Sequence, residues 1–412
     1  MPIPILDTLR SVLRFRSFEW DPVVRRLNRC ASVEDFRRIA QQRLPSGVFD
    51  YIDGAAEDER TLERNSAAFR ALGFRPRVLR EVGEPGYATT ILGRDATMPL
   101  ICSPTGFGRT AHSQGELAVA RAAANAGIPY TLSTLSTRSI EDVAAVSSGS
   151  KWFQVYVWHD RELVKEMVER SAAAGYEALL LTVDTPVFGR RERDVRSGFS
   201  LPPKLGLDTI LDGILHPGWT FDFLTAEPII FANVVGREVG DGSTPVALAE
   251  YINTQFDPGL SWRDVEWLQS IWKGPIVLKG IQTVEDARIA ADTGVSAVAL
   301  SNHGGRQLDD APTPLELLES VAGAVGDRVE VYCDGGVRRG SDVVKALALG
   351  ARACMIGRAY LYALAAGGER GVDLLFGWLA EGIGRTLALT GAASVDDLSR
   401  ELVEWRRPLS PE

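Results

Sequence analysis

From about residue 98 the chain repeats one hydrophobic pattern: a short apolar run, a segment with helical spacing, then another apolar run. The runs Met98–Ser103, Tyr130–Ser133, Trp152–Val157, Ala178–Asp184, Ile276–Lys279, Ala297–Asn302, Val329–Cys333 and Ala353–Ile356 read as strands. Between them, Gly115–Ala126, Arg161–Ala174, Val284–Thr293, Pro314–Val325 and Ser341–Leu349 read as helices. Strands that are apolar at nearly every position are buried on both faces, which predicts a parallel sheet covered by helices. Eight such units fit a closed (β/α)8 TIM barrel better than an open doubly wound sheet.

The pattern divides the 412 residues into three parts. Residues 1–97 form an N-terminal helical extension packing on the barrel, with an amphipathic helix at Val33–Arg43 and a second helical stretch at Phe49–Glu57. Residues 98–397 form the barrel, and 398–412 a C-terminal tail. Residues 190–274 are a long insertion after the fourth strand, rich in Trp, Phe and Leu around Leu211–Leu224. A connection of this length is usually functional or mobile, so it is expected to cover the barrel mouth as a lid. Contact with a membrane surface or another subunit is the alternative.

Polar residues recur where the predicted strands end: Pro104-Thr105-Gly106, Ser133, Gln154 with Tyr156, Thr182 with Asp184, Lys279, Ser301 with His303, Asp334, and Gly357-Arg358. In a barrel these ends converge on one face, where active sites are built. After strands seven and eight, the stretch Asp334-Gly335-Gly336-Val337-Arg338 and the pair Gly357-Arg358 combine glycines with arginines. That combination suits a phosphate. A lone histidine is more often structural, but His303 ends a strand beside two glycines and can take a proton near neutral pH. Asp184 could orient it, and Arg306 could bind a carboxylate. Arg191 would clamp that carboxylate from the other side, although an Arg-Arg pair elsewhere would read as solvated charge. Lys279 would sit as a fixed positive charge in the mouth, suiting a flavin that gains negative charge better than a nicotinamide. A Schiff-base lysine is its other possible role.

Composition narrows the remaining classes. A net charge of -9 argues against nucleic acid as a partner. The four cysteines show no CxxC pairing and read as buried hydrophobes in a reducing cytoplasm. The four histidines lack metal-ligand spacing, so no metal is expected. The sequence starts without an apolar signal region and contains no apolar run long enough to span a bilayer. The expected location is cytoplasmic, with peripheral contact on the inner face of the cell membrane left open.

These motifs resemble the FMN-dependent 2-hydroxy-acid dehydrogenases and oxidases from about Val33 to Leu398. The likeness rests on Ser301–Asp309, Asp334–Gly340, Leu181–Pro186 and Phe153–Tyr156. It implies FMN as cofactor, His303 as proton acceptor with Asp184 as its partner, and Arg191 with Arg306 as the substrate-carboxylate pair. Tyr51 and Tyr156 would lie near the substrate carboxylate and hydroxyl, with Tyr156 in the catalytic set. Pro104, Thr105, Gly106, Ser133, Gln154, Thr182, Lys279 and Ser301 would contact the flavin ring. Asp334, Gly335, Gly336, Arg338, Gly357 and Arg358 would hold the ribityl chain and phosphate. Gly106 and Leu135 depart from the glycolate oxidases, while His216–Trp219, Phe256–Pro258 and Trp262 look like bacterial L-lactate dehydrogenases of the respiratory type, and the arginine-bearing extension before Val33 looks like an actinobacterial branch of that group. The resemblance therefore implies L-lactate oxidation to pyruvate, a quinone or other non-oxygen acceptor, and a homotetramer. An oxygen-using oxidase or monooxygenase, or a mandelate-type enzyme with a larger substrate, is the alternative.

Overall fold

The computed structural model describes residues 19–198, 207–234 and 254–406. The rest of the extension, insertion and tail lies outside the described residues. Eight parallel strands close into a barrel: β1 Leu100–Cys102, β2 Tyr130–Ser133, β3 Lys151–Val155, β4 Ala178–Thr182, β5 Ile276–Ile281, β6 Ala297–Ser301, β7 Glu330–Asp334 and β8 Ala353–Ile356. The ring shuts where β8 pairs with β1. Fold class and strand order agree with the hydrophobic pattern.

The double burial has a visible cause. Ile101, Trp152, Leu180, Val277, Ala299, Tyr332 and Met355 fill the barrel interior. Their strand neighbours Leu100, Phe153, Leu179, Leu278, Val298 and Cys333 face outward into the helix layer. Ile91 and Ala96 join the interior cluster from a small antiparallel hairpin, Thr89–Ile91 with Arg94–Ala96, which closes the barrel's lower end. All four cysteines are buried and free.

The extension contributes helices Pro22–Leu27, Val33–Arg43, Ser46–Asp53 and Arg60–Ala71. The second predicted helical stretch therefore starts earlier and stops at Asp53, where the chain turns at Gly54. Val33–Arg43 packs on the barrel through Phe36, which stacks on Trp378 at 5.0 Å between ring centroids. Leu72–Phe74 pairs antiparallel with Val403–Trp405, joining the extension to the tail.

The described part of the insertion is largely helical: Glu192–Arg196, Leu207–Leu215, Pro217–Thr225 and Trp262–Ile271. The last is an ordinary barrel helix leading into β5, started by a capping box between Ser261 and Asp264. The pair Leu207–Leu215 and Pro217–Thr225 does not line the central cavity. It is fixed to the body by Ser113 Oγ donating to Asp222 at 2.6 Å, Ser46 Oγ to Asp212 at 2.6 Å, and Trp219 Nε1 to the Thr110 carbonyl at 2.8 Å. Its other face leaves Ile210, Leu211, Ile214, Leu215, Phe221 and Leu224 exposed. Among the described residues, no helix is long and apolar enough to cross a membrane.

Candidate active site

The strand ends surround a cavity of about 410 Å³. Its wall contains Tyr51, Pro104, Thr105, Gly106, Ser133, Gln154, Tyr156, Thr182, Arg191, Lys279, His303, Arg306, Asp334, Gly335, Gly336, Arg338, Gly357 and Arg358. Asp184 and Ser301 stand directly behind that wall, each bonded to a residue in it.

His303 opens a one-turn 3-10 helix, His303–Gly305, directly after β6. Its φ is 57°, followed by 67° and 78° at Gly304 and Gly305, so the chain doubles back in the left-handed region. Glycine takes that conformation freely, whereas a histidine holds it only when its surroundings enforce it. The His303 amide donates to Ser301 Oγ at 3.0 Å. Its Nδ1 lies 3.0 Å from Asp184 Oδ1. A carboxylate only accepts, so Nδ1 carries the hydrogen and Nε2 keeps its lone pair for a proton. Burial pushes the His303 pKa below its ordinary value, and Asp184 opposes that shift. Burial would raise Asp184, but His303 and Lys279 hold it below the usual carboxylate range. Asp184 Oδ2 is buried without a hydrogen-bond partner among the described residues.

The two arginines flank Tyr51. The Arg306 guanidinium sits 5.0 Å from the Tyr51 ring centroid and that of Arg191 5.6 Å. Burial, with repulsion from Arg191, pushes Arg306 down to about 9. Two cations crowded at a buried site favour an anion between them. Arg306 Nη1 donates to the Tyr51 carbonyl at 2.6 Å, and Arg191 Nε lies 3.0 Å from Asp194. Tyr156 packs its ring on Phe256 at 5.0 Å, and burial raises its hydroxyl above the ordinary range.

Across the cavity floor, Lys279 Nζ lies 2.9 Å from Asp334 Oδ2 and donates to Ser301 Oγ at 3.1 Å. Ser301 and Ser103 both donate to the Asp334 carboxylate. Burial would lower Lys279, but Asp334 and Asp184 raise it above its ordinary value, so it stays charged. A string of side chains crosses β2, β3 and β4: Ser133 Oγ donates to Gln154 Oε1, and Gln154 Nε2 to Thr182 Oγ1, each at 3.1 Å.

At the phosphate end, the helix Arg358–Gly367 begins at Gly357 with no side-chain cap. Its first N–H groups and the helix dipole suit an anion there. Arg358 lines the cavity, and its guanidinium is engaged by main-chain oxygens. It donates to the carbonyls of Ile52, Gly54 and Gly304. Two of those carbonyls belong to the extension and the third to the His303 turn, so the Arg358 side chain ties the two together. Arg338 Nη1 donates to its neighbour's carbonyl, Val337, at 2.8 Å.

Among the wall residues that carried no expectation from sequence are Ser103, Asn65, Asp194 and Phe231. Ser103 ends its apolar run and the strand-end rule would have found it. Asp194, three residues past Arg191, has the spacing of a helical ion pair. Asn65 and Phe231 give no local signal.

The mouth of this parallel barrel gathers a histidine–aspartate pair, two crowded arginines, a buried lysine and an uncapped helix start, a set that suits an anionic cofactor and an acidic substrate. The chain belongs to the FMN-dependent dehydrogenase family, whose model matches residues 40–405. It is 47% identical to a protein of Mycobacterium tuberculosis named "Putative L-lactate dehydrogenase", covering 99% of this chain and 97% of that one. It is 42% identical to glycolate oxidase 3 of Arabidopsis thaliana, covering 92% and 97%. The crystal structure of the monotopic membrane protein (S)-mandelate dehydrogenase superposes with a TM-score of 0.89 at 41% identity, covering 92% of this chain and 100% of that one. The protein is thus an FMN-dependent enzyme of 2-hydroxy-acid oxidation. The site fits that cofactor: the glycine loop and helix start suit its phosphate, and the buried Lys279 suits a ring that gains negative charge.

Proposed function

We propose that the protein oxidises L-lactate to pyruvate and passes the electrons to a quinone or another acceptor than oxygen. The observation carrying the catalytic part is the His303–Asp184 pair, which engages Nδ1, in the same cavity wall as Arg191 and Arg306. Arg191 and Arg306 hold the substrate carboxylate, and Tyr51 supports both guanidiniums from the side. His303 Nε2 takes a proton from the substrate, and Asp184 stabilises the resulting imidazolium. Tyr156 orients the hydroxyl. When bound, FMN would accept the two electrons together with the second hydrogen. The loops Asp334–Arg338 and Gly357-Arg358 would hold its phosphate and ribityl chain. Pro104, Thr105, Gly106, Ser133, Gln154, Thr182, Lys279 and Ser301 would hold its ring.

Lactate is favoured by the 47% relative and its name. The mandelate dehydrogenase likeness favours a second reading, a larger substrate. Anaerobic addition of L-lactate, glycolate or L-mandelate to the yellow protein separates these. Bleaching fastest with L-lactate supports the proposal, and bleaching by mandelate alone overturns it. Reoxidation should be faster with a soluble quinone than with oxygen, and rapid peroxide formation would instead mean an oxidase.

The same reading extends to location. The protein would be cytoplasmic and homotetrameric, with the exposed face of Leu207–Thr225 resting on the inner face of the cell membrane. The apolar side chains there and the monotopic membrane relative support this.

A further inference from the structure

The helix Arg60–Ala71 comes from the N-terminal extension and carries none of the residues assigned to chemistry, yet it meets the loops after β6 and β7 together. Asn65, only 2% exposed, forms a closed amide pair with Asn302, 1% exposed. Asn65 Nδ2 donates to Asn302 Oδ1 at 2.9 Å, and Asn302 Nδ2 donates to Asn65 Oδ1 at 2.8 Å. Asn302 Oδ1 also accepts the Gly305 amide at 3.1 Å, so the pair reaches across the whole His303 turn. On its other side, Asn65 packs against the phosphate loop. A Cβ on Gly336 would collide with the Asn65 carbonyl, and one on Gly335 would sit 3.4 Å from Asn65 Nδ2. The helix is also capped from across the gap: Asp309, just beyond the His303 turn, accepts the Thr61 amide at 2.8 Å.

A histidine in the left-handed region must be held there. With Asn65 removed, the buried Asn302 amide would keep only the Pro312 carbonyl for Nδ2 and the Gly305 amide for Oδ1, losing one of two partners on each side. Helix Arg60–Ala71 thus touches both the turn bearing the candidate base and the loop suited to the cofactor phosphate.

We propose that Asn65 is a positioning residue for both, joining the His303 turn and the Asp334–Arg338 loop into one rigid piece. A phosphate seated on the second loop then fixes His303 in the first. The inference rests on the reading of His303 as base, but its effect on FMN affinity does not depend on that role.

The test uses the full chain carrying Asn65→Ala or Asn65→Asp. The first removes both bonds of the pair, and the second keeps an acceptor for Asn302 while losing the donor. FMN affinity is read by fluorescence quenching, and the flavin reduction rate and KM by rapid mixing. The melting temperature of the apoprotein is measured alongside. The FMN Kd should rise about tenfold and the reduction rate should fall about tenfold, with KM changed much less. A lower melting temperature with Kd and reduction rate within about twofold of the parent overturns the proposal in favour of a purely structural role. A weaker FMN affinity with an unchanged reduction rate overturns the coupling. If Asn65→Ala does not fold, Asn65→Asp decides by the same readings.

Discussion

His303 works between two opposing forces, burial that favours its neutral form and a carboxylate that favours its charged form. Burial wins, so the ring is neutral at neutral pH, as the proposed role of base requires. The acid limb of kcat/KM should therefore fall below the ordinary histidine value of 6.5. Asp184→Asn removes the group that stabilises the protonated ring, so the limb should move to still lower pH. Flavin reduction should slow by about 10²-fold, because the imidazolium formed in the reaction loses its partner. A limb that rises in pH in that variant would contradict the assignment. His303, Asp184, Arg191, Arg306 and Lys279 were legible in the sequence because a barrel sends every strand end to one face. Asn65 was not legible, since a polar residue on an amphipathic helix looks the same whether it meets water or a buried amide. The contacts of Arg358 with the carbonyls of Ile52, Gly54 and Gly304 were equally hidden, since they join segments far apart in the chain.

The elements carrying Tyr51 and Arg191 are fastened at one buried carboxylate. Asp53 ends the helix of Tyr51 and is bonded by Arg37 at 2.6 and 2.9 Å, Tyr362 at 2.7 Å and Arg193, from the helix after Arg191, at 2.8 Å. Burial would raise its pKa, yet these donors pull it down to about 2. A depressed carboxylate stabilises the fold above its unfolded value and loses that contribution as pH falls through its folded value. Asp53→Asn should cost about 2 kcal/mol at neutral pH, with the gap to the parent closing between about pH 4 and 2. Urea unfolding across that range checks it, and a gap independent of pH would contradict the role given to Asp53. The eight strands were readable because burial on both faces writes unbroken apolar runs. The hairpin Thr89–Ala96 was not, because its strands are three residues long and largely polar. Helix Arg358–Gly367 was hidden differently: it is buried almost all round and shows no polar face to set a period.

For the whole molecule, the described part of the insertion faces two ways. Arg191, Asp194 and Phe231 of the insertion line the cavity, whereas the helices Leu207–Leu215 and Pro217–Thr225 turn apolar side chains outward. Leu215, Phe221 and Leu224 are 77%, 70% and 74% exposed. A chain of net charge -9 gains little from anionic lipid headgroups, so attachment to a membrane would depend on apolar burial and survive high salt. The triple variant Leu215→Glu, Phe221→Glu, Leu224→Glu should lose co-sedimentation with phospholipid vesicles while reducing its flavin at the parent rate. Undiminished sedimentation would contradict the membrane reading.

Anaerobic rapid mixing of the FMN-loaded His303→Gln variant with L-lactate, followed at the flavin absorbance, tests the central claim most directly. The account predicts that FMN stays bound and that bleaching slows by about 10²- to 10⁴-fold. Bleaching at the parent rate would show that the base lies elsewhere.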